Sequence, residues 1–153
     1  VNVQIRVDDL SDPRIALFLT EHINDMRAVS PPESKHALDL EGLKQPEVTF
    51  WTVWKAEQLV GCGAIKRLSH EHAELKSMRT AQSVRRSGVA SLLLQYIIRE
   101  ARRLGYQRLS LETGSMPFFQ PARTLYTKHG FTYCSAFNGY KEDPNSVFMT
   151  LKL

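Results

Sequence analysis

Cysteine is scarce in this chain: Cys62 and Cys134 are the two thiols among 153 residues. Two thiols close at most one bridge, so a disulfide framework is excluded, and neither stands at a zinc-ligand spacing. Each falls in a strand-like stretch, which predicts reduced core thiols in a cytosol-like compartment. Long apolar runs are missing too, and nothing approaches the ~20 residues of a membrane-spanning helix. No basic stretch followed by an apolar one comes after Val1, so no secretory leader is expected and the predicted location is cytoplasmic. Five histidines are present, yet no Cys/His pattern surrounds them. No metal site is expected, and His70-Glu71-His72 reads as a surface hairpin turn. Repeats, low-complexity tracts and linkers are absent, leaving 1–153 as a single domain able to bury its own core.

What remains is ordinary for a globular protein: 42% hydrophobic and 24% charged residues. The net charge of +4 raises nucleic acid as a partner. The basic residues gather at Arg79, Arg85, Arg86 and at Arg99, Arg102, Arg103, without a basic tail or a nucleic-acid motif, so neither nucleic acid nor membrane is expected to bind.

Apolar periodicity orders the chain. Val1, Val3, Ile5 and Val7 alternate with polar residues as in a half-buried strand. Asp12-Pro13 is a helix cap and first-turn pair, opening a helix that buries Ile15, Phe18, Leu19, Ile23 and Met26 and stops before Ser30-Pro31-Pro32. A short helix is expected over Leu38 to Lys44. Strands follow at Val48 to Lys55, Leu59 to Leu68 and Ala73 to Thr80, with Gly61 and Gly63 as bulge or close-approach points. Val89, Leu92, Leu93, Tyr96, Ile97, Ala101 and Leu104 keep helical spacing, and Gly105 ends that helix. Arg108 to Thr113 reads as a strand, Pro121 to His129 as a helix, and Phe131 to Phe137 with Val147 to Leu153 as a final antiparallel pair. The order β-α-(α)-β-β-β-α-β-α-β-β predicts an α/β architecture, one mixed sheet with helices on its faces.

The stretch Val84-Arg85-Arg86-Ser87-Gly88-Val89-Ala90 joins a strand to the most amphipathic helix. Backbone N–H groups at a helix start, backed by the helix dipole, form an anion site. Gly88 and Ala90 let backbone approach a ligand, and adjacent arginines offer forked donors suited to phosphate. A pyrophosphate-bearing ligand is therefore expected at this turn.

Arg85, Gly88 and Ala90 fill the signature Arg/Gln, two residues, Gly, one residue, Gly/Ala. Ala122, Leu125, Tyr126, Gly130 and Phe131 fill a second signature, Ala-x-x-Leu-Tyr-x-x-x-Gly-Phe. With this element order, the chain resembles the GNAT superfamily of acetyl-CoA-dependent N-acetyltransferases along nearly its whole length. The resemblance implies a splayed mixed sheet of about six to seven strands flanked by about four helices. It also implies acetyl-CoA as co-substrate, transfer to a primary amine by direct attack on the thioester, and a homodimer among the partners. The alternative on the same fold is a non-catalytic acyl-CoA-binding or sensing module.

By the same resemblance, the pyrophosphate would rest on Arg85, Arg86, Ser87, Gly88, Val89 and Ala90, with Ser91 beside them. The pantetheine arm would pair with the backbone of Met78, Arg79 and Thr80, whose N–H and C=O groups need partners where two strands diverge. Thr113 and Gly114 would form the other wall. An Asn common in the family is replaced here by Phe119, within the unusual run Met116 to Pro121, which places Phe119 near the cofactor. Tyr126 occupies the position of the acid that protonates the leaving sulfur, and it also borders the cofactor arm. Glu74, in Ala73-Glu74-Leu75, is the candidate base, with Glu112 and His72 as weaker alternatives. Acceptor choice would lie with residues 25–43 and with the Phe137 to Asn145 loop, where Tyr140 would line the mouth. Asp25, Glu33, Asp39 and Glu41 suit a cationic acceptor, and Arg27, Lys35 and His36 suit a carboxylate.

Overall fold

A run such as Val48-Thr49-Phe50-Trp51-Thr52-Val53-Trp54 has β-branched and aromatic side chains that fill a pleated surface and little that favours a helix. It forms β2 (Val48–Lys55), preceded by β1 (Gln4–Val7) and followed by β3 (Gln58–Arg67) and β4 (His72–Thr80). The computed structural model describes residues 2–29 and 40–153, without the side chains at 22, 23 and 26–29. With β5 (Arg108–Gly114), β6 (Thr132–Cys134) and β7 (Ser146–Lys152), the strands build one seven-stranded sheet in the order β1-β2-β3-β4-β5-β7-β6. Neighbours are antiparallel except β4 and β5, which run parallel. That connection requires a crossover, and α3 (Val89–Arg103) supplies it.

Helices cover both faces. On one, α1 (Pro13–Val29) and α2 (Leu40–Leu43) set Ile15, Phe18, Leu19 and Leu43 against Phe50, Trp54, Cys62 and Ala64. On the other, α3 and α4 (Gln120–Lys128) pack Leu93, Leu94, Ile97 and Tyr126 onto Val53, Leu75, Leu111 and Met149. Asp12 caps α1 as its sequence predicts, Oδ1 accepting from the Arg14 N–H at 2.9 Å. The expected burial of Ile23 and Met26, and the first residues of the expected short helix, lie outside the description.

Three expectations need correction. The buried stripe of α3 is Val89, Leu93, Leu94, Ile97, Ile98 and Ala101, while Leu92 and Leu104 are 42% and 46% exposed. Consecutive apolar residues at 92–94 and 96–98 fit more than one helical face, and the sheet selects the one that reaches β3 and β4. β6 stops at Cys134 because the chain turns away through Asn138 and Gly139, both at positive φ. Cys134 is consequently half-buried, unlike the fully enclosed Cys62, whose thiol burial pushes up to about 12. Finally, His72 is not a turn residue on the surface: it opens β4, and its Nε2 lies 2.7 Å from Ser110 Oγ on β5.

One irregularity positions everything that follows. β4 and β5 pair from His72–Arg108 to Leu75–Leu111 and then part. β4 continues to Thr80 with β3 on one side, after a register shift between Cys62 and Ala64 and with Ser77 at φ 58. β5 continues to Gly114 beside β7. A non-glycine residue held at positive φ marks a bulge that re-aims the strand. The result is a wedge-shaped gap in the middle of the sheet.

Candidate active site

From the last β4–β5 pair at Leu75–Leu111, the unpaired stretch of β4 leads through Thr80 to the turn before α3. Gln82–Val84 is a single 3₁₀ turn anchored by buried Val84, and the N–H groups of Arg85 and Ser87 donate to Gln82 O and Val84 O at 3.2 Å each. Gly88 caps α3 at φ 90, ψ 0. That conformation, and not crowding, demands glycine, since a Cβ there would meet nothing within 4 Å. Leu92 is the first α3 residue whose N–H reaches a helical carbonyl, that of Gly88, at 3.0 Å. The preceding N–H groups are the orphan donors of a helix start. All the residues expected to meet a pyrophosphate, Arg85 to Ser91, therefore share one turn, with Arg85 and Arg86 exposed.

Two hydroxyls there already have partners. Ser87 Oγ donates to Val84 O. Ser91 Oγ lies 2.7 Å from Nε2 of His129, at the C-terminal end of α4. Burial, with the Lys128 charge, lowers the His129 pKa. His129 stood out in no sequence pattern: it lies 38 residues from its partner.

The opposite wall is built by β5 and α4. Phe119, the residue before α4, lies flat on Gly114, where a Cβ would stand 2.1 Å from the ring. Glycine at 114 is thus a steric requirement of this aromatic lid. Arg123, another residue the sequence did not single out, is buried. Its guanidinium donates to Gly114 O, to Met116 O at 3.1 Å and to Gln120 Oε1 at 2.9 Å. It ties the end of β5 to α4. Tyr126, on α4, is buried against Phe131 with ring centroids 5.7 Å apart. Burial and the nearby Glu112 carboxylate raise its pKa, keeping the phenol protonated. Met78 packs toward α3, and Arg79 and Thr80 pair with Cys62 and Gly61.

On the α1 face of the sheet, beside the gap, three polar side chains meet. Glu74 is 2% exposed. Its Oε2 accepts from Lys76 Nζ at 3.0 Å and from Tyr140 OH at 2.6 Å, while Lys76 Nζ also donates to Tyr140 OH at 2.9 Å. Tyr140 comes from the loop between β6 and β7 and stacks edge-on against Phe137 at 5.4 Å. Burial, with the charges of Glu74 and Glu112, raises its pKa. His72, bonded to Ser110, is held below the usual imidazole range by burial and the Arg108 charge. The structure thus places both base alternatives, Glu112 and His72, on strands that border the gap. Among the remaining acceptor-side candidates, Asp25 pairs with Arg79 at 2.7 Å and Glu41 with Lys44 at 3.7 Å. Glu33, Lys35, His36, Asp39 and the Arg27 side chain lie outside the described residues. No cluster of metal ligands occurs among the described residues.

Helix-start N–H groups, an open strand edge and a buried phenol thus line one gap. The profile of the Acetyltransferase (GNAT) family matches residues 16–131. The uncharacterised N-acetyltransferase YsnE of Bacillus subtilis (strain 168) is 55% identical over 151 residues, which cover 99% of this chain and 100% of that protein. A structure described as an acyl-CoA N-acyltransferase from Klebsiella pneumoniae subsp. pneumoniae MGH 78578 has a TM-score of 0.83 at 27% identity, covering 99% of this chain and 97% of its own. A GNAT acetyltransferase from Elizabethkingia anophelis, solved with acetyl-CoA bound, shares the fold with a TM-score of 0.68 at 18% identity, over 99% of both chains.

Proposed function

Because the chain belongs to the GNAT acetyltransferase family and is an N-acetyltransferase, we propose that it moves an acetyl group from acetyl-CoA to a primary amine of a small molecule, amino acid or peptide. The observation that carries this reading is the end of β4–β5 pairing at Leu75–Leu111. Beyond it, backbone groups of β4 lack a neighbouring strand on the gap side, and an extended ligand supplies the missing partners. Acetyl-CoA bound to the neighbour from Elizabethkingia anophelis supports the choice of ligand.

Each group then has a task. The N–H groups of Arg86 and of Gly88 to Ser91 hold the pyrophosphate, with Arg85 and Arg86 adding charge. Met78, Arg79 and Thr80 hold the pantetheine arm through their backbone, and Thr113 with Phe119 closes the other wall. Acetyl-CoA supplies the activated thioester, and backbone N–H groups at the β4 bulge stabilise charge on its carbonyl oxygen. Glu74 takes the proton from the incoming ammonium. Tyr126, kept protonated by its surroundings, returns a proton to the sulfur as it leaves.

A second assignment of the base has its own support. Glu74 Oε2 already accepts from two donors, whereas the Glu112 carboxylate raises the pKa values of both Tyr126 and Tyr140. Glu112 therefore lies near the acid. Titration calorimetry with acetyl-CoA, followed by thiol release on adding amines, tests the activity. Tight binding with thiol release is expected. Absence of binding, or binding without turnover of any amine, would count against it.

A further inference from the structure

Two arginine side chains are drawn in beside the gap, and they differ in what they have left to give. Arg123 spends its guanidinium on two carbonyls and the Gln120 amide. Arg79 does not. Its Nη1 donates to Asp25 Oδ2 of α1 at 2.7 Å, its plane lies over the Phe18 ring at 5.4 Å, and its side chain is 12% exposed. Nε is buried and has no partner among the described residues. A guanidinium presents Nε and Nη2 as one edge with parallel N–H bonds, suited to both oxygens of a carboxylate. Asp25 occupies the opposite corner, so that edge is left over. A buried N–H without a partner lowers stability, which calls for an occupant.

Place and charge narrow the occupant. Arg79 stands beyond the last β4–β5 pair, so its backbone borders the gap. It pairs with Cys62, a residue of the α1-side core, so its side chain lies on the face where Glu74, Lys76 and Tyr140 cluster. Lys76, the other cation on this face of β4, is already engaged by Glu74 and Tyr140. We propose that Arg79 is a specificity residue whose Nε–Nη2 edge binds a carboxylate of the acceptor, so that the preferred substrates are amino acids or molecules carrying amine and carboxylate on neighbouring carbons. This deepens the acetyltransferase reading and rests on it. Such an acceptor brings its own ammonium, offsetting the anion added beside Asp25.

The test compares L-amino acids with their α-amides and with the corresponding decarboxylated amines, using thiol release by wild type, Arg79→Gln and Arg79→Lys. The ratio of kcat/KM for acid over amide is read within each protein, so a general loss of activity cancels. Wild type is expected to favour the acids roughly ten- to a hundredfold. Arg79→Gln brings the ratio close to one. Arg79→Lys, which keeps charge but not the fork, leaves it in between. Calorimetric titration of the same acids and amides into CoA-loaded protein reads the preference without turnover. A wild type that favours acids in neither turnover nor binding overturns the proposal, as does an undiminished ratio in Arg79→Gln. Failure of the acetyltransferase reading shows differently, as no thiol release from any amine in any of the proteins.

Discussion

Replacing Tyr140 with Phe isolates the tie that holds the β6–β7 loop to the sheet. The hydroxyl donates to Glu74 at 2.6 Å and accepts from Lys76 at 2.9 Å, within a pair whose carboxylate and ammonium are 2% and 9% exposed. Phenylalanine keeps the ring packing on Phe137 and Phe148, with centroids 5.4 and 5.6 Å away. What is lost is one hydrogen bond to a buried carboxylate and one from a buried ammonium, and water reaches neither site easily. Hydrogen bonds to charged groups contribute ~1.5–3 kcal/mol, and the surviving Lys76–Glu74 contact limits the damage, so a loss of about 2 kcal/mol is expected. For a chain of this size each kcal/mol shifts Tm by ~2–4 °C, giving a fall of roughly 4–8 °C. Calorimetric or circular-dichroism melts, with urea titration for the free energy, measure it. A Tm within a degree of wild type would show that solvent competes freely at the site and that the triad is not the tie described here.

Gly114→Ala puts a methyl group where the Phe119 ring lies. The acetyl-CoA KM should rise at least about fivefold through displacement of that wall, and Gly114→Ala/Phe119→Ala should recover part of it; a double variant no better than the single one contradicts the steric account. Tyr126→Phe should lower kcat by roughly a hundredfold or more while leaving acetyl-CoA affinity within a few fold, as read by pre-steady-state thiol release and calorimetry. Glu74→Gln should reduce kcat/KM for the amine by about a hundredfold and Glu112→Gln by less than tenfold; the reverse order transfers the base to Glu112. His72 and His129 are both held below the usual imidazole pKa, so near pH 6 the unfolded chain binds more protons than the folded one. Stability should therefore be full above about pH 6.5 and fall as pH drops toward their folded-state values, and His129→Asn should flatten that slope in urea titrations at pH 5–7.

Local chemistry made the elements legible. Asp12-Pro13 is a cap and first-turn pair and does open α1, and Gly88 followed by apolar residues at helical spacing located the first turn of α3. The two signatures, at 85–90 and 122–131, predicted which turn and which helix would flank the gap. What escaped the sequence is whatever two distant strands or helices build together. Tyr140 and Glu74 are 66 residues apart, Arg79 and Asp25 are 54 apart, and nothing in either neighbourhood announces the other. Arg123 carries no sequence signal, because the carbonyls of Gly114 and Met116 that it serves lie outside its own helix. The register of α3 on the sheet was ambiguous for a related reason: at 92–94 and 96–98 the apolar residues are consecutive, and only the opposing surface chooses among them.

Hydrogen exchange with and without acetyl-CoA tests the central claim most directly, because the claim concerns named N–H groups. Binding should slow exchange at Met78 to Thr80, at Arg86 and at Gly88 to Ser91, while the Leu75–Leu111 pairs, already closed, change little. Protection confined to other segments at saturating acetyl-CoA, with these N–H groups exchanging as before, would contradict it.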